Sequence, residues 1–319
     1  MPRIGRLVSL VLAVIAALGG LAWAAGPQRF VLATASESGY YYIFGAGAAR
    51  AVNKAHPDIF LTAVPTAGSP ENIRLLSSDQ AQVATVVGSV AYASYSGRGT
   101  DKKDDLRILL AFGHPIGFHF QVPKDSTVKT VYELKGKKVA FGVKGSGDHA
   151  MVKHVFEAIG LDMDRDFRAQ YLPIREMVDA FKDGKVDGAF KVGPDPQPAV
   201  VDMSTGSRGV KLLGLSEEDV QKVTAKFPDY RRFVVPTGWF QGFDYQVVTA
   251  ATPNLVVVRS KFPADIAYNI VAGIFAGQPE LGKSDRHWAV TTPEISARNL
   301  ILPVHPGAER FYREKGLLK

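Results

Sequence analysis

Short apolar runs alternate with amphipathic stretches along most of the chain, which is the pattern of strands followed by helices. The predicted strands cover residues 29–35, 59–66, 81–87, 106–112, 118–123, 137–143, 167–173 and 186–192. The predicted helices cover residues 41–53, 69–78, 88–97, 147–160 and 175–184, with a last helix after 306–307. Such alternation favours parallel sheets with helices on their faces, so the expected fold class is α/β.

The order of strands, loops and helices repeats at an offset of 105 residues. Residues 78–89 (SDQAQVATVVGS) then align with residues 183–194 (DGKVDGAFKVGP), and Gly88 falls on Gly193. The same offset brings PTAGSPENI (65–73) onto residues 170–178, which overlap YLPIREMVD (171–179). The repeat predicts two α/β lobes of like topology, whose ligands bind beyond the carboxyl ends of the strands. We therefore expect four loops to share one cleft.

The first 25 residues differ from the rest of the chain. Two arginines precede an apolar run that ends in small residues, as in a secretory signal peptide. We expect residues 1–25 to be removed on export to the periplasm; the alternative is a single membrane anchor. Removal of Arg3 and Arg6 lowers the formal charge from +7 to +5.

Composition narrows the function classes. The 319 residues are 46% hydrophobic and include no cysteine, which fits two globular domains without disulfides or thiol metal sites. Basic residues are interleaved with acidic ones, which disfavours nucleic-acid binding. The seven histidines lack metal-site spacing, and no nucleophile elbow precedes a helix. We therefore expect no catalytic residues, no metal and no cofactor.

Each of the four loops lies between a predicted strand and a helix, where free backbone N–H groups of the first helical turn favour an anion. The loops are centred on residues 36–39, 65–72, 88–89 and 142–148. Each residue type also has a structural explanation, since Ser38 and Ser69 suit helix caps and Lys144 suits a solvated loop. The last loop, GVKGSGD, breaks both the dinucleotide and the P-loop spacing, so nucleotide binding is not expected.

Five segments carry a resemblance that spans nearly the whole mature chain. They read SGYYYIFGAGAARAVNK, PTAGSPENIRLLSSDQAQVATVVGSVAYASYSG, GKKVAFGVKGSGDHAMVKHVFEAIGL, FKDGKVDGAFKVG and LPVHPGAERFYREKG. In this order they resemble the TAXI branch of the TRAP transporter solute receptors. The resemblance implies a two-lobed class II periplasmic binding protein fold with a two-strand hinge. It also implies that a glutamate-like amino acid or a 2-oxo or dicarboxylate anion is delivered to a TRAP-type permease driven by an ion gradient.

The chain departs from that family pattern at several expected site positions. Glu37 stands where glycine or threonine is usual, Val90 replaces an acid, and Asp148 replaces a threonine. Lys191 follows a strand where relatives continue with apolar residues. These differences change the charge of the expected site, so the resemblance implies the fold and the role but not the ligand.

We expect the ligand to be enclosed when the lobes close about the hinge. Lys144 and Lys191 are expected to balance its negative charge. Glu37 is expected to pair either with a ligand ammonium or with one of those lysines. Of the tyrosine triplet, Tyr40 is expected to reach the cleft first and Tyr41 second. The full predicted site comprises Ser36, Glu37, Ser38, Gly39, Tyr40, Tyr41, Thr66, Ala67, Gly68, Ser69, Asn72, Gly88, Ser89, Lys144, Gly145, Ser146, Gly147 and Lys191.

The predicted first lobe comprises residues 26–122 and 256–319, and the predicted second lobe comprises residues 123–255. Strands are expected to cross between them near 120–126 and 252–258. The protein is expected to be a monomer that meets a membrane permease. Three alternatives stay open from the sequence: the receptor of an ABC importer, an extracytoplasmic enzyme on the same scaffold, and a sensor subunit for a kinase.

Overall fold

The computed structural model describes residues 26–98, 103–191, 193, 196–240 and 242–319, so the predicted signal peptide at 1–25 lies outside the described residues. The strands are β1 (Gln28–Ala33), β2 (Ile59–Val64), β3 (Val83–Val87), β4 (Leu106–Gly117), β5 (Phe120–Val122), β6 (Lys138–Phe141), β7 (Arg168–Tyr171), β8 (Gly188–Ala189), β9 (Lys211–Leu213), β10 (Arg231–Val235) and β11 (Val247–Arg259). The helices are α1 (Tyr40–Ala55), α2 (Ser69–Ser77), α3 (Gly88–Ser96), α4 (Gly147–Ile159), α5 (Met163–Asp166), α6 (Ile174–Lys182), α7 (Pro198–Thr205), α8 (Glu217–Lys226), α9 (Ala264–Leu281), α10 (Arg286–Ala289), α11 (Pro293–Ala297) and α12 (Pro306–Glu314). A 3-10 turn spans Val131–Leu134.

The first sheet has the order β10–β11–β3–β1–β2, with β4 also paired to β11. Strand β1 pairs in parallel with β2 and β3, whereas β11 is antiparallel to β3, β4 and β10. Every residue of β3 is buried, so side chains on both faces of this strand are shielded from solvent. This explains why β3 reads as a continuous apolar run rather than an alternating one.

The second sheet has the order β7–β6–β8–β5–β9. Strand β6 pairs in parallel with both β7 and β8, and the antiparallel β5 follows β8. The first sheet repeats this arrangement with β2, β1, β3 and β11. Helix α6 begins and ends 105 residues after α2, and β8 begins 105 residues after β3. The internal repeat and the two-lobed α/β fold predicted from the sequence are therefore confirmed.

The strands β4 and β11 are the longest antiparallel pair, and β11 also pairs with β3. Their pairing shifts register between Thr252 and Asn254 and again between Val256 and Val257. Strand β11 covers the crossing predicted at 252–258. Its partner β4 ends before the crossing predicted at 120–126, and β5, which begins there, belongs to the second sheet. The lobe boundaries stay a prediction.

Helix α1 is held against the first lobe by small and aromatic residues. A Cβ on Gly277 of α9 would lie 2.5 Å from the Cβ of Ala51, so the close approach of the two helices requires glycine there. The Phe44 ring stacks between Phe112 and Trp288, with centroid distances of 3.8 and 4.8 Å. This packing fixes where α1 begins. None of the described helices has the length and hydrophobicity needed to cross a bilayer.

Candidate functional site

A cavity of about 180 Å³ lies between the two lobes, beyond the carboxyl ends of their parallel strands. The first lobe contributes the loops after β1, β2 and β3, and the second lobe contributes the loops after β6, β7 and β8. The predicted site residues that line this cavity are Ser36, Gly39, Tyr40, Tyr41, Thr66, Ala67, Gly68, Ser69, Ser146, Gly147 and Lys191. Residues from both sequence repeats therefore meet at one site.

The first lobe presents the N-termini of two helices to the cavity. The residues before α1 and α2 are Gly39 and Gly68, and no described side chain caps either helix. Gly68 has a φ of 108°, a conformation that other residues rarely adopt. Both first turns, with Tyr40 and Ser69 at the cavity wall, leave backbone N–H groups that favour a ligand oxygen. The effect is smaller in α2, because Pro70 has no N–H and Glu71 places a carboxylate in the first turn.

The second lobe presents a different surface. Helix α4 is capped by Ser146, whose Oγ accepts the backbone N–H of His149 at 3.3 Å. Its second residue is Asp148, whose two carboxylate oxygens lie 3.0 and 2.8 Å from the Nζ of Lys191. The side chains of Lys191 and Asp148 are only 8% and 13% exposed. The charge of Lys191 is therefore compensated by a residue of its own lobe.

The expectation that two lysines balance the charge of the ligand is corrected by this arrangement. Lys144 is exposed and does not line the cavity. Its Nζ lies 3.7 Å from Asp164 Oδ2 and 4.2 Å from the ring centroid of Tyr171, because the turn before α4 directs it along the surface. Lys191 lines the cavity, but it is already paired with Asp148.

The first two tyrosines of the triplet both line the cavity. The hydroxyl of Tyr40 donates to Asp285 Oδ1 at 3.3 Å, and its ring lies 4.2 Å from the ring of His287. The hydroxyl of Tyr41 donates to Asn254 Oδ1 at 2.9 Å. Both are thus anchored on the first lobe and present ring surface to the site.

Burial keeps both hydroxyls protonated. It is the main cause that raises the pKa of Tyr40 above its usual range, and the charge of Asp285 adds to the rise. Burial also raises the pKa of Tyr41, with the negative charge of Asp148 as the second cause.

Asn72 was expected at the site but lies behind it. Its Nδ2 donates to the carbonyl oxygens of Thr34 and Thr85 at 2.6 and 2.8 Å, and its Oδ1 accepts from Thr66 Oγ1 at 2.6 Å. This carboxamide ties together the ends of β1 and β3 and the loop before α2. Its role is to hold the cavity wall, because all its polar atoms are used within the first lobe.

The other predicted residues also lie outside the cavity lining. Glu37 and Ser38 are exposed, because the loop after β1 turns them toward solvent, and Gly145 occupies an exposed turn with a φ of 81°. Gly88 and Ser89 are buried one layer further back. A Cβ on Gly88 would lie 2.5 Å from the side chain of Thr252 on β11, so this glycine serves packing.

An apolar wall from the second lobe is missing from the sequence prediction. It consists of Leu172, Pro173, Ile174 and Met177, which lie after β7 and in the first turn of α6. The 105-residue offset had aligned this segment with PTAGSPENI and would have identified it. Asp148, Gly193 and Gln197 line the cavity as well. Among the described residues, no three His, Cys, Asp or Glu side chains are grouped to hold a metal.

The lobes touch on both sides of the cavity. A Cβ on Gly147 would lie 3.1 Å from Ser69 Oγ and 3.1 Å from Val87 Cγ2, both on the first lobe. On the other side, His287 Nε2 lies 3.3 Å from the carbonyl oxygen of Pro196. The structure is therefore a closed arrangement in which the cavity is bounded by both lobes.

Comparison with known proteins identifies a family and similar solved structures. The model of the NMT1-like family matches residues 32–316. The chain is similar to the alkanesulfonate-binding protein SsuA from Xanthomonas axonopodis pv. citri, solved with bound MOPS, at 19% identity and a TM-score of 0.50, over 93% of this chain and 82% of that one. It is also similar to the periplasmic aliphatic sulphonate binding protein SsuA from Escherichia coli, at 19% identity and a TM-score of 0.50, over 91% and 84% of the two chains.

A third solved structure, of a protein from Bordetella bronchiseptica RB50, is similar at 14% identity and a TM-score of 0.54, over 91% of this chain and 89% of that one. At these identities the likeness establishes the fold alone. The two-lobed periplasmic binding protein fold expected from the sequence is confirmed. The narrower assignment to the TAXI branch stays a prediction.

Proposed function

The chain belongs to the NMT1-like family, and on that premise we propose that it is a periplasmic solute receptor that hands a small organic anion to a membrane importer. The observation that carries the proposal is the cavity closed between the lobes, with the uncapped N-termini of α1 and α2 on one side and an apolar wall on the other. This combination suits an acid group attached to an apolar body.

The size of the cavity limits the ligand. A cavity of about 150 Å³ holds a molecule such as benzene, and the present one measures about 180 Å³. A carboxylate or sulfonate would accept hydrogen bonds from the first turns of α1 and α2. The apolar body would contact Leu172, Ile174 and Met177 from the second lobe and Ile116 from β4.

Closure about β4 and β11 is the proposed mechanism. A ligand in this position touches the first lobe at Gly39 and Gly68 and the second lobe at Ile174, so it completes its contacts only when the lobes meet. It therefore shifts the population toward the closed form by the difference between its affinities for the two forms. Closure would then signal occupancy to the importer.

We propose binding without turnover. The hydroxyl oxygens of two serines at the cavity are occupied by backbone groups: Ser69 Oγ accepts the N–H of Val87, and Ser146 Oγ accepts the N–H of His149. Neither contact involves a carboxylate or an imidazole, the kind of base that activates a serine nucleophile. An enzyme on this scaffold is thus the weaker alternative.

For the membrane partner, an ABC importer is our first choice and a TRAP-type permease the second. The NMT1-like match and the likeness to sulfonate-binding proteins support the first choice, and the TAXI resemblance of the sequence supports the second. Reconstitution of the receptor with its permease in vesicles separates them. Uptake that requires ATP supports the ABC importer, and uptake that requires only an ion gradient supports the TRAP permease.

Native mass spectrometry of the protein purified without refolding tests the receptor function itself, because enclosed ligands often stay with the protein. We expect a bound organic acid with a mass compatible with the cavity. A thermal-shift screen of short carboxylates and sulfonates then ranks ligands, since a ligand at a hundred times its Kd stabilises the native state by about 2.7 kcal/mol. Chemical conversion of the bound acid, or the absence of any stabilising acid, would contradict the proposal.

A further inference from the structure

The ion pair between Asp148 and Lys191 places a carboxylate inside the proposed anion site. Among the described residues that line the cavity, these two are the aspartate and the lysine, and none is a glutamate, an arginine or a histidine. Both carboxylate oxygens contact the lysine Nζ, at 3.0 and 2.8 Å. The second lobe therefore offers the ligand a compensated pair rather than a positive charge.

The chain holds both partners of this pair in place. A Cβ on Gly142 would lie 2.7 Å from the Cβ of Asp148 and 2.8 Å from its Oδ2, so the carboxylate folds back over a position that only glycine leaves open. The backbone N–H of Lys191 donates to Oε1 of the buried Gln121 at 2.9 Å. Asp148 is also the second residue of α4, where a carboxylate offsets the positive end of the helix.

The two sides of the cavity consequently differ in electrostatic character. The first turn of α1 carries neither an acidic residue nor a side-chain cap, whereas the first turn of α4 carries Asp148 and is capped by Ser146. Helix α2 also lacks a side-chain cap, and the acidic residue in its first turn, Glu71, contacts Arg74 at 3.2 Å and does not line the cavity. An acid group is stabilised on the first-lobe side. A second acid group on the same small ligand would lie toward Asp148, where the available cation is already paired.

We propose that Asp148 is a specificity-determining residue that selects ligands with a single acid group and rejects dianions such as dicarboxylates. This inference rests on the proposed receptor function and names the ligand class of that same site. It also replaces the dicarboxylate expected from the sequence with a monoanion whose far end carries no second negative charge. Lys191 then positions Asp148 rather than serving as the anion-binding cation.

Two pairs of probes matched in length test the selectivity: butanoate against succinate, and ethanesulfonate against 1,2-ethanedisulfonate. In titration calorimetry we expect the wild-type protein to bind each monoanion at least about tenfold tighter than its dianion. Asp148→Asn exposes the charge of Lys191 and should narrow that ratio by about tenfold or reverse it. Gly142→Ala displaces the carboxylate without changing any charge and should shift the ratio in the same direction. Unchanged ratios in both variants would overturn the proposal.

Inorganic sulfate gives a readout that needs no organic ligand. We expect sulfate to raise the melting temperature of Asp148→Asn more than that of the wild-type protein, and the double variant Asp148→Asn with Lys191→Met to lose this response. Asp164→Asn is the matched control, because it removes the carboxylate charge beside Lys144, outside the cavity, and should behave as wild type. An equal response of Asp148→Asn and Asp164→Asn contradicts the specificity role, whereas stabilisation by neither carboxylates nor sulfonates in the wild-type protein contradicts the receptor function.

Discussion

Substitution of a single glycine is expected to destabilise the closed form of the protein. Gly147 is the first residue of α4, and a Cβ there would lie 3.1 Å from Ser69 Oγ and from Val87 Cγ2. Both atoms belong to the first lobe, so Gly147→Ala strains the closed form and leaves the open form unaffected. Overpacking of this kind costs about 1–3 kcal/mol, which predicts a ligand affinity about 5- to 150-fold weaker.

Titration calorimetry with the acid identified by native mass spectrometry measures this loss, and small-angle X-ray scattering reports whether the protein becomes less compact. Gly206→Ala is the matched control, because the nearest atoms to its Cβ would belong to Lys182 and Met203 of the second lobe. We expect the control to bind as wild type. If Gly147→Ala keeps the wild-type affinity, or if both variants lose affinity to the same extent, the contact at Gly147 does not form when the ligand is enclosed.

Three further predictions concern stability. Asn72→Ala removes the buried carboxamide that holds two strand ends and should lower the free energy of unfolding by about 2–4 kcal/mol in urea titration, a loss under about 1 kcal/mol being incompatible with that role. Tyr41→Phe removes the hydrogen bond to Asn254 and should cost about 1 kcal/mol in the same assay, whereas no loss would show that the bond is not formed. Burial raises the pKa of Asp229 to about 6, so its contribution to stability falls as the pH rises from about 4 to 6. Burial lowers the pKa of His154 to about 4, so its contribution rises between about pH 4 and 6.5. Asp229→Asn removes the first trend and keeps the second. Between about pH 4 and 6 the free energy of unfolding of the variant should therefore rise by about 3 kcal/mol more than that of the wild-type protein. Parallel pH profiles of the two proteins would contradict this.

Local sequence determined the elements and their order. The helix predicted at 41–53 is observed as Tyr40–Ala55, and the one predicted at 69–78 is observed as Ser69–Ser77. Apolar periodicity and glycine turns act over a few residues, so they can be read without the rest of the fold. The repeat at 105 residues determined the common topology of the lobes, since equal order of elements produces equal sheets.

Tertiary structure decided which side chains share the cavity and what charge they present. Lys191 looks like a free cation in the sequence, but the fold brings it to Asp148, 43 residues earlier in the chain. The sequence predicts that Asn72 faces the cleft from the start of a helix, yet its partners are Thr34, directly after β1, and Thr85 on β3. Glu37 is next to the site in sequence and points to solvent. Pairing and burial depend on residues that are distant along the chain, and local patterns carry no information about which of them will meet.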